Sequence, residues 1–102
     1  MKIAAITLPT NAKFPLGRVV STPGALQACT PKYLSECLLR HVRGDWGVVC
    51  ADDAAENELS LKRGFRLLSA YPTDPADSSK GNIWIITEGD RSATTFLLPS
   101  EY

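Results

Sequence analysis

The sequence predicts an α+β domain, with two to three N-terminal helices packed on one face of a three- to four-stranded, mainly antiparallel sheet. Three observations carry this. Helical signals fill the chain between residues 22 and 63, extended signals dominate from residue 65 onward, and 102 residues suit one compact core. At this length roughly two thirds of the unfolded surface can be buried, so a core of 44% hydrophobic composition needs no disulfide or metal to hold it.

Residues 1–15 carry two prolines and end in Lys13-Phe14-Pro15, which reads as an N-terminal tail or weak edge strand, with a single domain over residues 16–102. Arg18-Val19-Val20-Ser21 has the composition of a short strand. Thr22-Pro23 and Thr30-Pro31 then repeat one signal: a threonine that can cap a helix, and a proline suited to its first position. The second of these helices should span residues 31–43, because Leu34, Leu38, His41 and Val42 recur at spacings of three and four and Gly44 follows. Gly44-Asp45-Trp46-Gly47 is a tight connection anchored by Trp46. A third helix opens at Asp52 or Asp53, where Asp53 and Glu56 resemble a capping box, and closes at Lys62-Arg63-Gly64.

The period then changes. Phe65 to Tyr71 reads as a strand ending at Pro72, and residues 73–82 as a polar loop. Ile83-Trp84-Ile85-Ile86-Thr87-Glu88 and Ala93-Thr94-Thr95-Phe96-Leu97-Leu98 should pair as a hairpin. Apolar residues on both faces of the first of these two strands place it centrally in the sheet, with helices over one side.

Eleven basic residues balance eleven acidic ones, which argues against a general coat for nucleic acid or anionic membrane, since both draw affinity from surplus Lys and Arg. The opening apolar run is cut by Pro9 and is too short for a signal peptide, and no run approaches ~20 apolar residues. A cytoplasmic location with no membrane association follows as the expectation, and three cysteines then read as reduced thiols. Cys37 and His41 stand four apart, but without a Cys-x-x-Cys partner no metal is expected, nor any other cofactor.

Leu16-Gly17-Arg18, Thr22-Pro23-Gly24-Ala25-Leu26, Arg40-His41 with Gly44-Asp45-Trp46-Gly47, Leu67 to Tyr71, Ile83 to Glu88, Asp90-Arg91-Ser92 and Thr94 to Tyr102 carry a resemblance. Through them the chain from Leu16 to Tyr102 resembles a family of small bacterial proteins encoded on plasmids and integrated mobile elements, often labelled plasmid-related protein. Some members bear the label type I restriction subunit M. A methyltransferase needs a far longer chain and a Gly-rich cofactor turn, neither of which is here. The resemblance implies a mobile-element setting in a bacterial cytosol and attaches no activity.

Two functions can be built on these residues. The first is a non-enzymatic interaction or regulatory protein of a mobile element, in defence or counter-defence, with a protein as partner. Trp46, Asp45, Trp84, Asp90 and Arg91 would be its contact residues, because tryptophans favour interfaces. The second is a small metal-independent ribonuclease or phosphate-handling enzyme arranged like barnase or RelE, with RNA as substrate. There His41 would be the base, Arg66 and Arg91 the phosphate ligands, and Glu88 or Thr95 the support, with Arg18 on the same sheet face. Each element has a plainer structural account. His41 can cap its own helix or bond Asp45. Arg91 either pairs with Glu88 across a two-residue turn or projects freely from a four-residue one, in which case Thr87 faces Thr94.

Overall fold

A computed structural model describes residues 8–102 of the 102-residue chain. Strand β1 (Arg18–Ser21) leads into helix α1 (Pro23–Ala28), helix α2 (Pro31–Val42) and helix α3 (Ala51–Arg63). Strands β2 (Leu67–Pro72), β3 (Asn82–Thr87) and β4 (Ala93–Leu97) complete a four-stranded sheet of order β1-β4-β3-β2. The class is α+β, as the sequence predicts, with β3 in the interior of the sheet.

Both Thr-Pro signals work as read. The Thr22 hydroxyl accepts from the Ala25 N–H and the Thr30 hydroxyl from the Tyr33 N–H, while Pro23 and Pro31 occupy the first helical positions. Helix α3 departs from the reading. Cys50 is its N-cap and gives no side-chain hydrogen bond, so Asp53 and Glu56 lie within the helix and form no capping box. Its other end is as expected, with Gly64 left-handed at φ 72°.

The sheet is mixed. β2–β3 and β3–β4 are antiparallel, whereas β1 runs parallel to β4 with Arg18 opposite Ala93 and Val20 opposite Thr95. A parallel partner needs a long crossover, which here is the rest of the domain. Alternation splits the sheet cleanly. Leu67, Tyr71, Ile83, Ile85 and Phe96 point to the face on which Ala25, Leu34, Cys37, Leu38 and Val42 pack, forming the core. The opposite face carries two cross-strand rows, Leu68-Ile86-Thr95-Val20 and Ala70-Trp84-Leu97, none of which joins that core.

The boundary expected at residue 16 cuts through packed structure. Phe14 is 6% exposed and belongs to the core, and the Lys13 N–H donates to the Val42 carbonyl at the end of α2. A phenylalanine beside a proline reads as tail only when its packing partners, far along the chain, are unknown. The expectation for residues 1–7 lies outside the described residues.

The outer edge of β2 is closed by two devices. The Trp46 carbonyl accepts from the Ala70 N–H and the Val48 N–H donates to the Ala70 carbonyl. Gly47 makes this approach possible: φ is +76°, and a Cβ there would collide with the Ala70 carbonyl oxygen. One step along, the buried Asn57 side chain of α3 donates to the Leu68 carbonyl (2.7 Å) and accepts from the Leu68 N–H (3.1 Å), acting as one residue of a fifth strand.

Candidate functional site

His41 lies on the inward face of α2, its ring at 0% exposure between Phe14, Trp46 and the sheet. Nδ1 is 2.5 Å from the Ser69 hydroxyl on β2 and Nε2 is 2.9 Å from the Thr87 hydroxyl on β3. Thr87 is 2.7 Å from the Thr94 hydroxyl, and Thr94 donates to the Leu16 carbonyl at 2.7 Å. The direction of the whole chain follows from its last link. Thr94 has spent its only hydrogen on Leu16, so it accepts from Thr87. Thr87 therefore accepts from Nε2–H, and Nδ1 accepts from Ser69. The ring is the neutral Nε2–H tautomer, with every polar atom along the relay satisfied. Burial, followed by the nearby Arg91 charge, pushes its pKa down to about 3.

Asp45 does not orient this ring. It forms a two-pronged contact with Arg40, at 2.7 and 3.3 Å, and accepts from the Gly47 N–H, which fixes the loop. The Arg40 hydrogen bond is the main reason its carboxyl sits below the usual range. Trp46 is 6% exposed and donates Nε1–H to Glu58 at 2.8 Å, so its ring belongs to the core.

The hairpin adopts the wider register, with Thr87 opposite Thr94, yet Arg91 is not free. Its backbone is left-handed, φ 62°, and its guanidinium donates to the Phe65 (2.7 Å), Ser60 (3.0 Å) and Glu88 (3.1 Å) carbonyls. Two of these acceptors lie at the C-terminal end of α3, where a cation complements the helix dipole. The carbon of the same guanidinium lies 5.7 Å from the centroid of the Phe14 ring. Arg91 thus fastens the hairpin to α3. Asp90 accepts from the Ser92 N–H within the turn.

Glu88 pairs instead with Arg66, at 3.2 Å on an exposed surface. Arg66 also donates to the Tyr102 hydroxyl (2.9 Å), whose ring meets Trp84 edge-on with centroids 5.7 Å apart. By strand alternation Arg18, Trp84 and Thr95 lie on the open face, while His41, Thr87 and Thr94 lie on the helix-covered one. The five residues of the catalytic expectation are therefore divided. Arg66 and Glu88 meet each other, Thr95 lies on their side of the sheet, His41 is sealed on the other, and Arg91 is held by carbonyls.

Sequence reasoning missed Ser69, Thr87 and Thr94 as partners of His41, and Asn57 as an edge mimic. The available signal was hydroxyl residues at inward positions of strands otherwise filled by Leu, Ile and Phe. Among the described residues no group of three or more His, Cys, Asp or Glu could hold a metal ion, and no helix is long and apolar enough to cross a membrane.

The fold and these contacts define an α+β domain with a sealed polar relay on one side of its sheet and, on the other, an apolar face outside the helix-packed core on which Tyr102 meets Trp84. No family model matches the chain, and neither the curated proteins nor the solved structures contain a match.

Proposed function

We propose that the protein acts without catalysis, as an interaction or regulatory accessory protein, and that its working surface is the open face of the sheet. One observation carries this reading: the Leu68-Ile86-Thr95-Val20 and Ala70-Trp84-Leu97 rows lie outside the helix-packed core, and although Ile86, Ala70 and Leu97 are buried and Tyr102 stands edge-on to Trp84, the other four residues are half-buried and six of the seven are apolar. A sheet with helices on one side ordinarily turns polar side chains outward on the other. The resemblance over residues 16–102 adds the setting to the proposal: a bacterial mobile element, the cytoplasm, and defence or counter-defence. The ribonuclease alternative, with His41 as base, has against it a ring whose two nitrogens are both occupied and which no substrate hydroxyl can reach.

Photo-crosslinking tests the reading. A benzophenone side chain replacing Thr95, on the open face, should give discrete protein adducts in bacterial cells. The same group replacing Glu36, on α2, should not. Equal adduct patterns at the two positions, or none at Thr95, would overturn it.

A further inference from the structure

One part of the open face is already covered by the chain itself. After β4 the backbone enters a single 3-10 turn, Pro99–Glu101, which packs on β3, and Tyr102 follows it onto the sheet. The Tyr102 ring meets Trp84 edge-on with centroids 5.7 Å apart, and its hydroxyl accepts from Arg66 at 2.9 Å. Arg66 is in turn paired with Glu88, so the ring is held at Trp84 and at the Arg66–Glu88 pair. Ile86 stands between those two points on the same face, and it is 5% exposed although it lies outside the helix-packed core. Tyr102 itself is 72% exposed. A ring that shields its neighbours while remaining in water is a cover laid on the sheet and no part of the core.

The preceding side chain fastens this cover. The Glu101 carboxylate accepts from the Thr22 hydroxyl at 2.6 Å, from the Gly24 N–H at 3.2 Å and from the Leu98 N–H at 2.9 Å. Helix α1 has no acidic residue in its own first turn, so the negative charge there comes from the far end of the chain. Gly24 makes room for it. A Cβ at that position would stand 2.6–2.8 Å from the carboxylate atoms of Glu101, and the glycine's backbone is not left-handed, so its missing side chain serves the contact and not a turn. Glu101 and Tyr102 are both exposed, and hydrogen bonds and ring contacts made in water contribute little each. The segment can therefore lift without opening the core beneath the sheet.

We propose that residues Pro99–Tyr102 are an autoinhibitory strap over the open face, and that the partner protein displaces it with an aromatic side chain of its own, set against Trp84 with a hydrogen-bond acceptor in reach of Arg66. The proposal rests on the open face being the working surface, and deepens that reading by naming what competes for the face and the chemistry of the residue that replaces it. Tyr102 is the pattern for that residue: it satisfies an indole ring and a guanidinium donor, and a newcomer must satisfy the same two groups. A closed strap lowers the partner's apparent affinity by the fraction of molecules that stand open. With only exposed contacts to break, release should raise partner binding by about three- to tenfold.

Two variants of the full chain release the strap by different routes. Tyr102→Ala removes the cover, whereas Gly24→Ala favours α1 by helix propensity and drives the Glu101 carboxylate from its seat without touching either ring. Indole N–H resonances report the result, Trp84 directly and the buried Trp46 as the check that the core is intact. In both variants the Trp84 resonance should move and that of Trp46 should stay. N-acetyltyrosinamide at about 1–20 mM, the range for a single surface ring, should shift Trp84 in Tyr102→Ala and not in wild type, and N-acetylalaninamide should shift neither. In bacterial cells a benzophenone at position 95 should give about three- to tenfold more adduct in both variants than in the wild-type background. A Trp84 resonance indifferent to Gly24→Ala, or a tyrosine amide that fails to distinguish Tyr102→Ala from wild type, would overturn the inference. Equal adduct yields in all three backgrounds would remove the strap and leave the open face in use. No adducts in any background would end both readings.

Discussion

A histidine whose two ring nitrogens face hydroxyls inside an apolar core is held neutral, and that ties folding to pH. The unfolded chain takes up a proton near 6.5, the ordinary value for histidine, while the folded ring resists until about 3. Between those values the unfolded state binds more protons, so the contribution of His41 to stability is complete above about 6.5 and is lost as pH falls toward 3. The slope approaches about 1.4 kcal/mol per pH unit within that window. Urea unfolding across the window should show it, and the His41 ring resonances should not titrate between pH 8 and about 4. A ring titrating near 6.5 would mean the relay is open to water. The relay gives a second expectation. Thr87→Val leaves Nε2–H without an acceptor and Thr94 without a donor, at a cost of about 1–3 kcal/mol, whereas Thr87→Ser keeps both bonds and should cost less than about 1 kcal/mol. Chemical denaturation of the two variants compares them directly. From sequence, His41 stood out by its pKa, but its surroundings did not, because Ser69, Thr87 and Thr94 are 28 to 53 positions away and meet it only through the sheet.

Elements were legible where their signals are local. Thr22-Pro23, Thr30-Pro31 and Lys62-Arg63-Gly64 each mark a helix end with residues that do the work themselves. What escaped was pairing at a distance. β1 has four residues and gives no sign that its neighbour is β4, running parallel and more than seventy positions on. Arg91 likewise carries no sequence mark of its acceptors, since backbone carbonyls have no letter in the sequence. Asn57 is the sharpest case, a polar residue on a helix that completes a sheet edge. Asn57→Ala should leave the Leu68 N–H and carbonyl open, cost about 1–3 kcal/mol and increase aggregation on mild heating, which light scattering would register. Asn57→Asp should be nearly as harmful, because a carboxylate can accept from the Leu68 N–H but cannot donate to the carbonyl. If both variants behave as wild type, water replaces the side chain and the edge is not protected by it.

At the scale of the molecule, the question is where the cooperative unit begins, and Phe14 answers it. Its ring stands at 5.2 Å from His41, edge-on, and at 6.3 Å from Trp46, stacked, with Arg91 on a further side. This single side chain, upstream of β1, thus touches α2, the loop after α2 and the β3–β4 hairpin. These are the parts that must be held in mutual register for the relay to stay dry. Truncating a buried phenylalanine costs about 3–5 kcal/mol, a large share of the 5–15 kcal/mol that holds a domain together. For a chain near 100 residues each kcal/mol lowers Tm by about 4–8 °C, so Phe14→Ala should melt at least about 12 °C below wild type. Phe14→Leu should recover much of the loss by refilling the volume. A chain starting at Leu16 should lose cooperative unfolding or melt as low as Phe14→Ala, because it lacks the same ring. Calorimetry distinguishes the outcomes. If the chain starting at Leu16 melts with wild type, the core closes without Phe14, and the tail reading of residues 8–15 is the correct one. If Phe14→Ala and the truncation fall together, the unit begins before Pro15, and the ring that closes the core over His41 lies outside the domain boundary that composition alone suggests.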